Sequence, residues 1–184
     1  MAMITPFLLP LLLSLSHLRL LSARPGPETP PKPDLIDKVC SQADNHPFCL
    51  KTLRSDPRSA GADLQGLAQV SIDLAHSGAE NVYGFVHLLV KQATKARLKE
   101  RYTFCEGNYY RTIVYIEEAN DSFGSEDYQS MSVQASSAME EVDACAEEFE
   151  RPPPDTTRLL GRNARMFDLA NIVYEIAMLL EEKS

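Results

Sequence analysis

Glycine is scarce in this chain, 8 residues in 184, and none sits in a G-x-S-x-G nucleophile elbow or a glycine-rich phosphate loop. Serine-based acyl transfer and nucleotide binding of those kinds are therefore excluded. Basic residues are also short, 18 against 26 acidic ones for a net charge of −8, which is the wrong sign for tracking nucleic-acid phosphates or anionic lipid. The histidines, His17, His46, His76 and His87, include no pair at ligand spacing with a cysteine left free, so no metal and no cofactor is expected. Carboxylates do come in pairs, Glu117 with Glu118, Glu140 with Glu141 and Glu147 with Glu148. Adjacent positions on a helix point about 100° apart and cannot flank one bond, so these read as solvated faces and no catalytic residue is expected.

Only one apolar run stands out, from Phe7 to Leu15, broken by Pro10 and Ser14. It is shorter than the roughly 20 residues of a membrane span and is followed by the small residues Ser22 and Ala23, which predicts a cleaved secretory signal over residues 1–23, with an uncleaved anchor as the alternative. Cleavage removes Arg19, the one charged residue there, and takes the net charge from −8 to −9. The mature protein is then expected outside the reducing cytosol and free of the membrane. Residues 24–33 include PGPETPPKP, too rich in proline for helix or central strand, and predict an extended spacer. The folded domain is expected over residues 34–182.

Within that domain the apolar period is helical throughout. Leu64, Ala68, Ser71, Ala75, Ala79, Val82, Val86 and Leu89 form one stripe; Leu98, Tyr102, Cys105, Tyr109, Ile113 and Ile116 form a second. A third runs Tyr128, Met131, Ala135, Ala138, Val142, Cys145, Phe149, and a fourth Leu160, Asn163, Phe167, Ala170, Tyr174, Ala177, Leu180. Breaks are expected near Ala93 to Ala96 by length alone, at Gly124 and Ser125, and at Pro152 to Pro154, with Asp155 or Thr156 capping the last helix. Four amphipathic helices on short turns predict an all-α fold, an antiparallel up-down-up-down four-helix bundle.

Four cysteines allow three connectivities, and spacing does not choose among them. Burial does. Cys105 and Cys145 lie inside apolar stripes of consecutive, antiparallel helices and face a shared seam, which leaves Cys40 with Cys49. Pro47 falls between the latter two and disfavours helix at His46, so the expectation is a short helix from about Leu35, a turn at His46 and a short return helix. A small N-terminal helical hairpin clamped by Cys40–Cys49 thus precedes the bundle, for two disulfides in all.

These stretches carry a resemblance. HPFCLKTLRSDPRSAGADLQGLA after the hairpin, CEGNYY with Tyr109 four past the third cysteine, and SVQASSAMEEVDACAEEF with Phe149 four past the fourth are similar to the plant invertase and pectin methylesterase inhibitor family. The resemblance covers about residues 34–182, and its paired cysteines, first to second and third to fourth, agree with the burial argument. It implies a secreted, extracellular protein of the apoplast and cell wall that binds and blocks a carbohydrate-active enzyme. In the invertase-inhibiting branch a Pro-Lys-Phe stretch near the start of the third bundle helix enters the target's active site; Tyr128, Gln129 and Ser130 stand there in this chain. The resemblance then favours pectin methylesterase as a one-to-one partner, with invertase as the alternative.

Related inhibitors lay bundle-helix faces across the substrate cleft, which implies a binding surface among exposed residues of the second and third bundle helices. Tyr110, Arg111, Glu126, Asp127, Gln129, Ser130, Gln134 and Ser137 lie off the apolar stripes and are the candidates. Asn120-Asp121-Ser122 is an N-x-S acceptor triplet for N-glycosylation at Asn120. A non-inhibitory role as a storage protein, lipid carrier or peptide-signalling partner is the remaining alternative.

Overall fold

The structure is a computed structural model that describes residues 34–184, and every regular element among them is helical. The expected signal and spacer, residues 1–33, lie outside the described residues. Two short helices, α1 (Leu35–Cys40) and α2 (His46–Ser55), lead through a 3-10 turn at Pro57–Ser59 to four long ones: α3 (Leu64–Gln92), α4 (Ala96–Gly124), α5 (Tyr128–Glu147) and α6 (Leu159–Glu181). Each long helix packs on the next, and α6 closes back on α3, which is the expected up-down-up-down bundle.

The long helices start where side chains satisfy the first free amides. Asp63 accepts from the Gly66 N–H at 2.8 Å and caps α3, and Asp127 accepts from Ser130 N–H at 3.0 Å and caps α5. The α3–α4 turn falls at Ala93–Lys95, as length alone required, though Lys95 provides no side-chain cap. All eight residues of the first stripe and all seven of the third are buried. In the second, Leu98 and Ile113 are half-buried at the margin, and Asn108 and Thr112 are buried instead, on the side turned to α5. Gly78 sits where α3 and α6 approach closely: a Cβ there would stand 2.7 Å from Leu169 Cδ1.

Three expectations shift in α5 and α6. α5 ends at Glu147, ahead of the prolines, and Phe149 is buried beyond the helix end, with its ring 5.5 Å from that of Tyr102. Buried Arg101 holds that turn by donating to the carbonyls of Arg151, Pro152 and Pro153. α6 begins later than a cap at Asp155 or Thr156 requires, although Asp155 still accepts from Leu159 N–H at 3.1 Å, and Thr156 caps nothing. The buried face of α6 is also rotated: Leu159, Asn163, Met166, Ala170, Val173 and Ile176 point inward, whereas Leu160 is 38% exposed and Phe167 and Tyr174 are half-buried.

The hairpin explains that rotation. α1 and α2 pack on the outer side of α6, so apolar residues there, Ile172 and Leu179, are buried as well. Asp44 N–H donates to Asn171 Oδ1 at 3.0 Å, and Asn45 Nδ2 donates to Asp168 Oδ2 at 2.8 Å. Cys40 and Cys49 are bonded, but the turn spans residues 41–45, and His46 and Pro47 open α2. Proline is at ease in a first helical turn because its missing N–H has no intrahelical partner there, and the Asn45 cap outweighs the bias against helix at His46.

One polar chain crosses the apolar centre. The Tyr109 hydroxyl donates to Asn163 Oδ1 at 2.7 Å, and Asn163 Nδ2 donates to the Val142 carbonyl at 2.7 Å, tying α4, α6 and α5 together. Burial pushes the Tyr109 hydroxyl far above the ordinary tyrosine range. In the unfolded chain it ionises near pH 10, so above that pH the unfolded state binds fewer protons than the native one and stability falls as pH rises. Below pH 10 the contribution is fully present. Tyr109→Phe is therefore expected to flatten the alkaline loss by about 1.4 kcal/mol per pH unit above pH 10. Urea unfolding at pH 8, 10 and 11 reads this directly; equal slopes for the two proteins would refute it.

Candidate functional site

The α4–α5 pair carries the arrangement of interest. Bonded Cys105 and Cys145 sit with Cα atoms 4.8 Å apart and set the register of the two antiparallel helices. One turn further along, fully buried Asn108 donates through Nδ2 to the Glu141 carbonyl at 3.1 Å and accepts through Oδ1 from Arg111 Nη2 at 2.6 Å. Arg111 Nε then donates to Glu141 Oε1 at 2.7 Å. The guanidinium is thereby held in place by a buried amide and a carboxylate yet remains about half exposed, 48% against 18% for its partner. Its hydrogen bond to Glu141 pushes its pKa upward, which keeps the charge permanent.

Steps of three and four bring further candidates to the same seam. Ser130, Gln134, Ser137 and Glu141 follow one another on one stripe of α5, and Glu141 meets Arg111, so the first three extend from Arg111 toward the α5 N-terminus. The face is fixed by backbone position and carries short polar groups around one fixed cation, which suits hydrogen bonding to a protein surface.

The other candidates lie elsewhere. Tyr110 is 60% exposed but is one position, roughly 100°, round the helix from Arg111. It shares the stripe of Glu106 and Glu117, which pair with His87 and His76 of α3, so Tyr110 turns to the α3 side. Glu126, with φ 59°, and Asp127 occupy the α4–α5 turn. The Asp127 carboxylate is engaged as the α5 cap, and its hydrogen bonds to Ser130 hold its pKa below the usual range. Gln129 is exposed at the end of the bundle. Asn120 lies in the last turns of α4, on the groove toward α3.

Sequence reasoning passed over Phe104 and Val133, which are 45% and 57% exposed and flank this seam. Their apolar type at positions off the stripes was the available signal. A cleft of about 530 Å³ at the far end of the same seam is lined by Arg97, Arg101, Phe104, Glu148 and Arg151. The bundle centre itself is filled by Tyr109, Ile116, Met131 and Ile176. Among the described residues no group of three His, Cys, Asp or Glu side chains is placed to hold a metal, and no helix is long and apolar enough to cross a membrane.

Residues 34–176 match the sequence profile of the plant invertase/pectin methylesterase inhibitor family. The chain belongs to that family. It is 38% identical to a pectinesterase inhibitor of Actinidia deliciosa over 92% of this chain and 91% of that one. It is 31% identical to a putative invertase inhibitor of Platanus orientalis over 80% of this chain and 90% of that protein. The fold is that of a mutant form of a pectin methylesterase inhibitor from Arabidopsis, with a TM-score of 0.72 at 24% identity over 78% of this chain and 95% of the other. Family membership places the paired cysteines, the hairpin and the bundle in an inhibitor scaffold.

One family position bears on the choice of target. Tyr128, first of the three residues that the resemblance sets against Pro-Lys-Phe, is buried, and its hydroxyl accepts from Gln65 Nε2 at 3.2 Å. Of the other two residues only Gln129 is well exposed.

Proposed function

We propose that this protein is a secreted inhibitor of pectin methylesterase that acts in the plant cell wall, binds its target one to one and catalyses nothing itself. The observation that carries this reading is the 38% identity to the Actinidia deliciosa pectinesterase inhibitor across nearly the whole of both chains. Gln129 and Ser130 support it, because they stand where the resemblance sets the lysine and phenylalanine of the invertase-inhibiting branch and offer an invertase neither side chain. The docking surface in this reading is the α4–α5 face, with Arg111, Ser130, Gln134 and Ser137 at its centre and Gln129 and Glu126 toward its margin, while Tyr110 lies off it on the α3 side.

The Platanus orientalis relative favours a second reading, inhibition of invertase. Residual activity of each enzyme against inhibitor concentration separates the two. At mildly acidic pH the expected result is a stoichiometric end point with pectin methylesterase and little effect on invertase. Because the chain carries a net charge of −8, a basic target is favoured, and raising ionic strength is expected to weaken association by slowing encounter. Strong inhibition of invertase alone would reverse the assignment, and no effect on either enzyme would favour a non-inhibitory role.

A further inference from the structure

The sequence holds one N-x-S/T triplet, Asn120-Asp121-Ser122, and the structure gives it a definite place. Asn120 is exposed on α4, and its Oδ1 accepts from Gln69 Nε2 of α3 at 3.3 Å. Nδ2, the atom that carries an N-linked glycan, donates to no protein acceptor among the described residues. The position is nine residues beyond Arg111, which is about 14 Å along the axis and about half a turn round it. Gln69, His76 and Glu117 line the groove on that side, between α3 and α4.

We propose that Asn120 carries an N-linked glycan and that this glycan covers the α3–α4 side of the bundle, leaving the α4–α5 face open to the target enzyme. The attachment step joins Nδ2 to the anomeric carbon of an oligosaccharide donated from a lipid pyrophosphate; Nδ2 loses a proton and the lipid pyrophosphate leaves. Transfer takes place as the chain enters the secretory lumen, so the helix that later forms at Asn120 does not prevent it. A hydrated oligosaccharide on the α3–α4 groove excludes a protein surface from it. Anchored half a turn from Arg111, it leaves that side chain uncovered. The inference rests on the secretion and the docking face proposed above, and its two halves are read separately.

The full chain is expressed in plant cells, and the secreted protein is treated with an amidase that releases N-glycans. The expected result is a downward gel shift, with conversion of Asn120 to aspartate in the peptide map, and neither in Ser122→Ala. That variant keeps the Asn120–Gln69 contact and the Ser122 backbone carbonyl that caps the helix end. Unmodified protein in the medium overturns the glycosylation while leaving secretion standing; unmodified protein retained in the cell overturns both.

The steric half uses a glycan moved to the other face. Gln134→Asn completes an N-x-S triplet with Ala135 and Ser136. With Ser122→Ala in the same chain, the transferred glycan is expected to weaken inhibition of pectin methylesterase about tenfold or more, an energy of about 1.4 kcal/mol, whereas the natural glycan changes it little. Recovery of inhibition on deglycosylation shows that the variant is folded. Equal inhibition with the glycan on either face overturns the assignment of the open face, and so does inhibition restored only when the natural glycan is removed.

Discussion

Replacing Cys145 with serine is expected to lower stability by about 2–5 kcal/mol, one of the two largest effects foreseen for a single substitution here. The bond it breaks closes a loop of sequence separation 40 between two helices whose cysteines are fully buried. In the chain-entropy account a cross-link of that span removes about 4 kcal/mol of unfolded-state freedom, against roughly 2.5 kcal/mol for the Cys40–Cys49 bond of separation 9. Serine adds a second cost by placing a hydroxyl in the seam beside the freed Cys105 thiol. For a domain of this size each kcal/mol corresponds to about 2–4 °C in the melting temperature. Thermal and urea unfolding of the oxidised natural protein and of the variant measure the difference. A loss under about 1 kcal/mol would show that helix packing alone sets the α4–α5 register. Replacing Cys49 is expected to cost less and to loosen the hairpin without opening the bundle.

Asn163→Ala is expected to cost about 2–4 kcal/mol although it removes only a short side chain. Asn163 is 3% exposed and serves two buried partners, the Tyr109 hydroxyl and the Val142 carbonyl. Alanine leaves the Tyr109 hydroxyl without a partner in the bundle centre at a desolvation cost of about 1–3 kcal/mol, removes the second hydrogen bond of the Val142 carbonyl, which keeps its bond within α5, and opens a small void between α4, α5 and α6. A cycle with Tyr109→Phe separates these terms. Once the hydroxyl is absent, removing the amide no longer orphans a buried group, and its cost is expected to fall measurably. Strict additivity of the two substitutions would mean that the chain is not coupled in solution.

The fold was legible because burial in this bundle is one-sided for three of the four long helices. A helix between two neighbours hides one stripe, and Leu64 to Leu89 and Tyr128 to Phe149 repeat at the helical period without interruption. The cysteine pairing followed from the same stripes, since Cys105 and Cys145 lie on facing seams of consecutive antiparallel helices. The expected α6 stripe holds at Asn163, Ala170, Ala177 and Leu180 and fails at Leu160, Phe167 and Tyr174, because this helix is apolar on several sides. Leu159, Met166, Ile172, Ile176 and Leu179 offer more than one stripe, and the hairpin resting on the outer side of the helix decides which one turns to the centre.

The candidate surface was legible only as a set of positions off the stripes. A linear pattern tells which residues face away from the core; it does not tell which neighbouring helix they lean toward. Tyr110 and Arg111 are adjacent in sequence, yet the first turns to α3 and the second to α5, where Glu141 and buried Asn108 fix it. Asp127 looked available and is instead held as the α5 cap, a role set by the helix start. The sequence by itself determined the helix count, the hairpin, the bonded cysteines and the glycosylation triplet, because each rests on local period, turn chemistry or an acceptor motif. Only the tertiary structure decided which exposed groups share a face, which side of α6 is inside and which side of α4 Asn120 occupies, because those depend on rotation about each helix axis, and the packing of neighbours sets that rotation.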